Sequence, residues 1–324
     1  LSPPEKNGVD GNFSTESKVP TWDPMLRPKS AKGKTWWDPV ENEGDANTYG
    51  THYWSLSKLV QDNLRGDDSR VIMDRAIPFV QEAVKKKQPF FAVIWFHTPH
   101  LPVVAGPKHA AMYSEHDKHS QHYFGCITAM DEQIGRLWKE LDALGVRDDT
   151  LVAFCSDNGP EGSSKSPGSA GGLRGRKRSL YEGGVRVPGV IAWPAKIKAG
   201  TTTTVAACTS DYLPTIVEII GAKRLDERPL DGVSLLPLFA GEMTERPRPI
   251  GFQSSGMATW VDNRWKLVRP KGNKAAYELY DLVADRSESK NIASDHPDIV
   301  KRMAAELKNW QASCAKSDAG EDYR

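Results

Sequence analysis

A chain of 324 residues is long enough for one large domain or two modest ones. Apolar residues make up 39% and charged residues 26%, which supports a packed core and argues against wholesale disorder. The 43 Lys plus Arg nearly cancel the 42 Asp plus Glu, against a general nucleic-acid binder, and no run approaches the roughly 18 apolar residues of a membrane span.

Residues 1–50 are rich in Pro, Lys, Gly, Asn and Asp and read either as an extension or as the start of a chain that begins in the middle of a larger protein, with Trp36 and Trp37 expected to pin the segment to a neighbouring surface. They start Leu-Ser-Pro-Pro with no basic stretch followed by an apolar one, so no signal peptide is read there. Residues 69–87 predict a helix capped by Ser69, with Ile72, Ala76, Phe79, Val80 and Ala83 on one face and a kink or split at Pro78. The apolar run from Phe90 to Phe96 predicts a strand buried on both faces, as in a parallel sheet. Residues 121–144 predict the clearest helix, with Tyr123, Ile127, Met130, Ile134, Leu137, Leu141 and Leu144 at steps of four and three and Gly145 closing it.

A second buried strand is expected over 150–154 and a third over 188–193, with a glycine-rich loop between them. Ser210 then caps a helix that Gly221 stops. Strand, helix, strand, loop, strand, helix is the rhythm of an α/β sandwich with a mainly parallel central sheet, and this part spans 1–245. Residues 246–324 read as a small α+β appendage: a hairpin over 257–269 turning at Asp262-Asn263, a short strand over 278–282, an amphipathic helix over 295–312 and a polar, frayed tail.

Three segments carry chemistry. Ser156-Asp157-Asn158-Gly159, at a strand's carboxyl end, offers two hard oxygen donors of the kind calcium prefers, although Asp-Asn-Gly by itself is an ordinary turn. His97-Thr98-Pro99-His100-Leu101-Pro102 places two histidines on a proline-braced loop, suited to donating a proton or gripping an anion. Between Gly171 and Pro188, Arg174, Arg176, Lys177 and Arg178 put four cations within five residues beside glycines, which suits close approach to an anionic group.

In content and order these segments resemble the formylglycine-dependent type I sulfatases of the alkaline phosphatase-like superfamily. The carriers are Phe90-Phe91 through His97-Thr98-Pro99-His100-x-Pro102, then Met130-Asp131 through Ile134-Gly135 to Ser156-Asp157-Asn158-Gly159. They are followed by Leu173-Arg174-x-x-Lys177 with Tyr181-Glu182-Gly183-Gly184-x-Arg186-x-Pro188. The sequence is most similar to bacterial arylsulfatases and N-acetylgalactosamine-6-sulfatases, over about Trp36 to Trp310. The resemblance implies an alkaline phosphatase-like fold and calcium-assisted hydrolysis of a sulfate ester by a hydrated formylglycine. It implies Asp157 and Asn158 as calcium ligands, Lys177 as the cation on the sulfate and leaving oxygen, and His100 as the acid for the departing alcohol. His97 matches no catalytic position and reads as a supporting residue. The implied substrate is a sulfated small molecule or sulfated glycan, in a periplasmic or secreted setting.

Several family features are missing. Formylglycine arises in Cys/Ser-x-Pro/Ala-x-Arg, and neither Cys126, Cys155, Cys208, Cys314 nor any serine fits. The early Asp-Asp-x-Gly metal pair and a Gly-Lys-Trp-His-like segment are also absent; Asp67-Asp68 and Asp148-Asp149 read as turns or helix caps. The expectation is therefore the carboxy-terminal part of a sulfatase, with the nucleophile and two of four protein calcium ligands outside this chain. Such a chain alone would show no turnover, weak calcium affinity and exposed apolar sheet edges. Two alternatives remain: a phosphatase or phosphonate monoester hydrolase of the same superfamily, and a non-catalytic sulfated-glycan binder.

Overall fold

The elements follow in chain order: β1 (Ser14–Thr15), β2 (Leu26–Pro28), β3 (Ala46–Thr48), β4 (Tyr53–Ser55), β5 (Lys58–Val60), α1 (Asp68–Lys85), α2 (Pro107–Ala111) and α3 (Lys118–Ala143). After them come β6 (Val152–Cys155), α4 (Glu182–Val185), β7 (Gly189–Ala192), α5 (Tyr212–Ile219), α6 (Leu236–Phe239), β8 (Ile250–Ser254), β9 (Met257–Asp262), β10 (Trp265–Arg269), β11 (Glu278–Asp281) and α7 (Pro297–Asp318). This computed structural model describes residues 6, 8–224, 226–272 and 275–322. They divide into two bodies, 1–150 and 151–324. The boundary expected at residue 245 falls inside the second body.

In the first body, α1 is capped by Asp67, whose side chain accepts from the Arg70 N–H, rather than by Ser69. The helix runs through Pro78 unbroken, and it buries Val71, Met73, Ile77 and Val80 while Phe79 is exposed. The buried stripe is thus rotated from the one read in the sequence, because Asp68 and Ser69 at its start also face inward. Helix α3 starts at an Asp117 cap and buries His122, Cys126, Ala129, Met130 and Leu141. Trp37 does pin the early segment: with Ala31 and Val104 it forms a core cluster against which Trp22 and Tyr49 pack. Trp36 forms an isolated parallel bridge to Val103.

The expected strand over 90–96 is corrected. These residues form no strand, and Phe91, Val93 and Trp95 are 67%, 59% and 84% exposed. Extended backbone becomes a strand only beside a partner, and among the described residues none lies alongside it. The mainly parallel sheet is corrected with it: every ladder among the described residues is antiparallel, including β6 with β7. Neither β6 nor β7 is the fully buried strand expected, since Val190 is 61% exposed.

In the second body the order β11-β10-β9-β8 makes a four-stranded sheet. Ala258, Trp260, Leu267 and Leu279 pack from that sheet onto Met303 and Leu307 of α7. The hairpin turns just past Asp262, as read: Asn263 takes φ 50°, a left-handed conformation that Asn tolerates better than most residues, and its Oδ1 accepts from the Arg246 N–H. Helix α7 extends to Asp318, six residues beyond the expected end; Tyr323 and Arg324, in the tail read as frayed, lie outside the described residues. Before α5, Asp211 rather than Ser210 closes the turn, accepting from the Cys208 N–H and pairing with buried Arg246 at 2.6 Å.

Candidate functional site

Asp157, Asn158 and Lys177 belong to the second body. Strand β6 delivers its chain end to Asp157 and Asn158, and the Asp157 carboxylate accepts from the Asn158 N–H at 2.9 Å. Asp157 is exposed and Asn158 half-buried. Two backbone bonds zip this turn to the cationic loop: Gly159 N–H to Gly184 C=O at 2.9 Å and Lys177 N–H to Pro160 C=O at 3.1 Å. The approach requires glycine, because a Cβ at Gly159 would overlap the Gly183 carbonyl oxygen. The sequence therefore brings the carboxylate–amide pair and the lysine loop into one backbone-bonded unit.

The Lys177 side chain is 20% exposed, and its ammonium lies 3.8 Å from the Glu161 carboxylate. Arg178 bonds the same carboxylate at 2.6 Å. That bond, the Gly162 N–H and the charges of Arg178 and Lys177 hold Glu161 down to about 2. An incoming anion must therefore compete with a permanently charged carboxylate for Lys177. The other cations of the loop are structural. Arg176 donates to the Glu161 and Gly168 carbonyls, and Arg174 stacks 3.7 Å from the Tyr181 ring centre and donates to the Tyr280 hydroxyl.

The loop is anchored from below by buried charge. Lys266 is fully buried between Glu182, 2.8 Å away, and Glu288, 2.9 Å away. The Glu288 carboxylate also accepts the Glu182 N–H at 2.6 Å. Burial pushes Glu182 upward, but Lys266 and Arg186 together bring it below the usual carboxylate value; Glu288, with Lys266 as its one paired cation among the described residues, is raised by burial. These contacts give Glu182 a structural role, and Lys266 and Glu288 gave no sequence signal, because a lone charge in a strand or loop reads as solvent-facing.

His100 belongs to the first body. It is exposed, its N–H donates to the His97 carbonyl at 2.6 Å, and its Nδ1 lies 2.7 Å from the Leu101 carbonyl. A carbonyl only accepts, so Nδ1 carries the proton of that bond and Nε2 is left for another partner. His97 is tied on both nitrogens, Nδ1 to the Asp68 carboxylate at 2.8 Å and Nε2 to the Thr15 hydroxyl at 3.1 Å. Tyr53 donates to the other Asp68 oxygen. Asp68, read only as a turn or cap residue, is thus the centre of a buried polar network.

The donor chemistry at Asp157 and Asn158 fits a hard cation such as calcium, but two ligands are far short of the usual 6–8. Among the described residues no group of three or more His, Cys, Asp or Glu side chains is arranged to hold a metal. None of the four cysteines is disulfide-bonded, and burial pushes the Cys126 thiol up to about 12, which makes it inert.

A sequence profile of the sulfatase family matches residues 27–222, and one described as N-sulphoglucosamine sulphohydrolase, C-terminal, matches 175–313. Human arylsulfatase A is 36% identical over 266 residues, covering 74% of this chain and 51% of that protein. An N-acetylgalactosamine-6-O-sulfatase of Bacteroides thetaiotaomicron is 26% identical over 266 residues, covering 75% and 51%. The crystal structure of Ps i-CgsB in complex with k-i-k-neocarrahexaose superposes with a TM-score of 0.80 at 27% identity, over 96% of this chain and 68% of that one. The chain spans about half the length of these two curated relatives. The α/β class and the alkaline phosphatase-like fold hold, although the ladders present are antiparallel. With a family profile covering residues 27–222 and the three motif segments in order, the chain belongs to the sulfatase family.

Proposed function

We propose that this chain is part of an enzyme that hydrolyses the sulfate ester of a carbohydrate or aryl alcohol, water adding at sulfur and the alcohol leaving with a proton. The observation that carries the reading is the backbone zipper joining the Asp157–Asn158 turn to the Lys177 loop, since it ties the segment bearing hard oxygen donors to the segment bearing the ammonium. In this reading Lys177 leaves Glu161 for the sulfate and neutralises charge as the S–O bond breaks. His100 gives the proton to the departing alcohol from Nε2, its ring oriented by the Leu101 carbonyl. Asp157 and Asn158 would hold two of the coordination positions of a calcium ion, and such an ion supplies divalent charge opposite the sulfate oxygens. The remaining ligands and the formylglycine nucleophile are assigned to residues other than those described, since no Cys or Ser of this chain stands in the required motif.

The carbohydrate side of the proposal draws on the names of the relatives, one an N-acetylgalactosamine-6-O-sulfatase, and on the oligosaccharide bound by the structural neighbour. A periplasmic or secreted setting is proposed on the same bacterial relative; no helix among the described residues is long and apolar enough to cross a membrane.

The test is a paired assay of the protein as its own cells produce it, with an aryl sulfate and the matching aryl phosphate. Sulfate should be turned over preferentially, and Lys177→Ala should lower kcat by about 100-fold or more. Preference for phosphate would instead support the phosphatase reading, and an unaffected Lys177→Ala enzyme would overturn the assignment. The isolated 324-residue chain is expected to show no turnover.

A further inference from the structure

A carboxylate taken out of water is costly unless it is paired, so a buried one in the first body calls for an explanation. Asp68 and Ser69, in the first turn of α1, are both fully buried. Asp68 is not spent on closing the helix, because Asp67 is the cap. Its two oxygens go to side chains instead: Tyr53 donates its hydroxyl to Oδ1, and the His97 ring meets Oδ2 at 2.8 Å. The reaction scheme above uses none of these groups.

The network is rooted in the core. Tyr53 is buried with Leu64 and Val71 and stacks on Phe13, the ring centres 4.2 Å apart. Burial pushes its hydroxyl far above the ordinary tyrosine value, with the Asp68 charge adding, so it stays a donor. A carboxylate only accepts, so the proton of the Asp68–His97 bond sits on His97 Nδ1. The same ring, on a side chain 19% exposed, meets the Thr15 hydroxyl at Nε2 at 3.1 Å, and it cannot turn without breaking both bonds. One residue further along each segment the pattern repeats: the buried Ser69 and Thr98 hydroxyls lie 3.3 Å apart. Two consecutive residues of α1 thus latch two consecutive residues of the histidine loop. The His97 carbonyl accepts the His100 N–H at 2.6 Å, and beyond the loop the Val103 N–H bonds the Thr35 carbonyl at 3.0 Å. His100 stands exposed between these two fixed points.

We infer that Asp68 is a positioning residue: through His97 it fixes the backbone that carries His100, and so aims the His100 ring for proton transfer to the departing alcohol. The inference rests on the sulfate-ester reading for the role of His100. Every contact in the latch lies within the first body.

Two measurements test it. The first needs no turnover: hydrogen exchange of the 324-residue chain, followed by NMR. Asp68→Asn leaves one acceptor oxygen for two donors, so Tyr53 or His97 loses its partner. Exchange at the His100 N–H should quicken about tenfold or more in Asp68→Asn and in His97→Leu, the loss expected for a hydrogen bond to a charged group. In His97→Asn the amide nitrogen can stand where Nδ1 stands, and exchange should stay within about threefold of the original. This pair of His97 variants carries the test even where Asp68→Asn unfolds the chain. The second measurement is hydrolysis of phenyl sulfate and p-nitrophenyl sulfate by the protein as its own cells produce it. Nitrophenolate leaves with little help from an acid, and phenolate needs more. Asp68→Asn should lower kcat by about tenfold or more on phenyl sulfate and by less than about threefold on p-nitrophenyl sulfate, with KM little changed. His100→Ala should show the same asymmetry. Equal losses of Asp68→Asn on the two esters, or unchanged His100 exchange in Asp68→Asn and His97→Leu, overturn the inference. An asymmetry in His100→Ala that Asp68→Asn lacks also overturns it and leaves the sulfatase reading standing. Faster His100 exchange in a protein that fails the paired sulfate and phosphate assay sinks that reading and not the latch.

Discussion

Replacing Lys266 with methionine isolates what holds the lysine loop in place. The ammonium is fully buried, 2.8 Å from Glu182 and 2.9 Å from Glu288. Met fills a similar volume, so the change removes charge and leaves packing largely intact. Glu182 keeps Arg186 as a partner, whereas Glu288 loses its one paired cation among the described residues. Removing one partner of a buried pair costs about 3–5 kcal/mol. Urea unfolding followed by tryptophan emission reads that cost, and hydrogen exchange over 174–186 reads the loop. The penalty should depend on pH. Glu288 already sits above its ordinary value, so its contribution is present at low pH and is lost as pH rises through the folded value. Without Lys266 that value rises further, and Lys266→Met should be more damaging at pH 8 than at pH 5. The double variant Lys266→Met/Glu288→Gln should recover much of the loss. A Lys266→Met chain within about 1 kcal/mol of the original at both pH values would refute the reasoning.

Two further outcomes are expected. Asp67 caps α1 through one oxygen while the other is buried without a partner, and burial, with the Asp68 charge adding, raises its carboxyl to about 7. The stability it contributes is full below the unfolded value near 3.8 and is lost as pH rises through about 7. Asp67→Asn preserves the cap, so thermal melts should show it about 1–3 kcal/mol more stable than the original at pH 8 and no more stable at pH 4; a gain at pH 4 alone would contradict the sign. Gly159→Ala drives a methyl into the Gly183 carbonyl and should cost about 1–3 kcal/mol, with faster hydrogen exchange at Gly159 and Lys177; unchanged exchange there would show that the zipper does not depend on the close approach.

Much of the fold was legible because its elements carry their own periodic signals. The two long helices, the hairpin at Asp262-Asn263 and the carboxy-terminal helix all stand where apolar spacing and turn residues put them. Caps were less legible: Asp67 displaced Ser69 at α1, since adjacent acceptors compete for the same N–H groups and spacing does not choose between them, and α5 begins at Asp211 with no side-chain cap, the Asp211 carboxylate turning back to the Cys208 N–H. The buried strand over 90–96 failed for another reason. A run of apolar residues specifies extended backbone, but pairing depends on a neighbour, and no local signal encodes one. At the candidate site, motif order singled out Asp157, Asn158 and Lys177 as expectations, and the backbone joins the loops that carry them. The buried charges Lys266 and Glu288 beneath the lysine loop, and Asp68 beside His97 in the first body, were invisible in the sequence because burial is a property of the fold.

The central claim is that the Asp157–Asn158 turn and the Lys177 loop serve one sulfate. A crystal structure of the protein as its own cells produce it, grown with calcium and a non-hydrolysable sulfate ester, tests it most directly. The expected result is a cation on the Asp157 and Asn158 side-chain oxygens at about 2.3–2.6 Å and the sulfate within hydrogen-bond reach of the Lys177 ammonium. A Lys177 still paired with Glu161 while the sulfate sits elsewhere, or a cation with neither Asp157 nor Asn158 among its ligands, would contradict it.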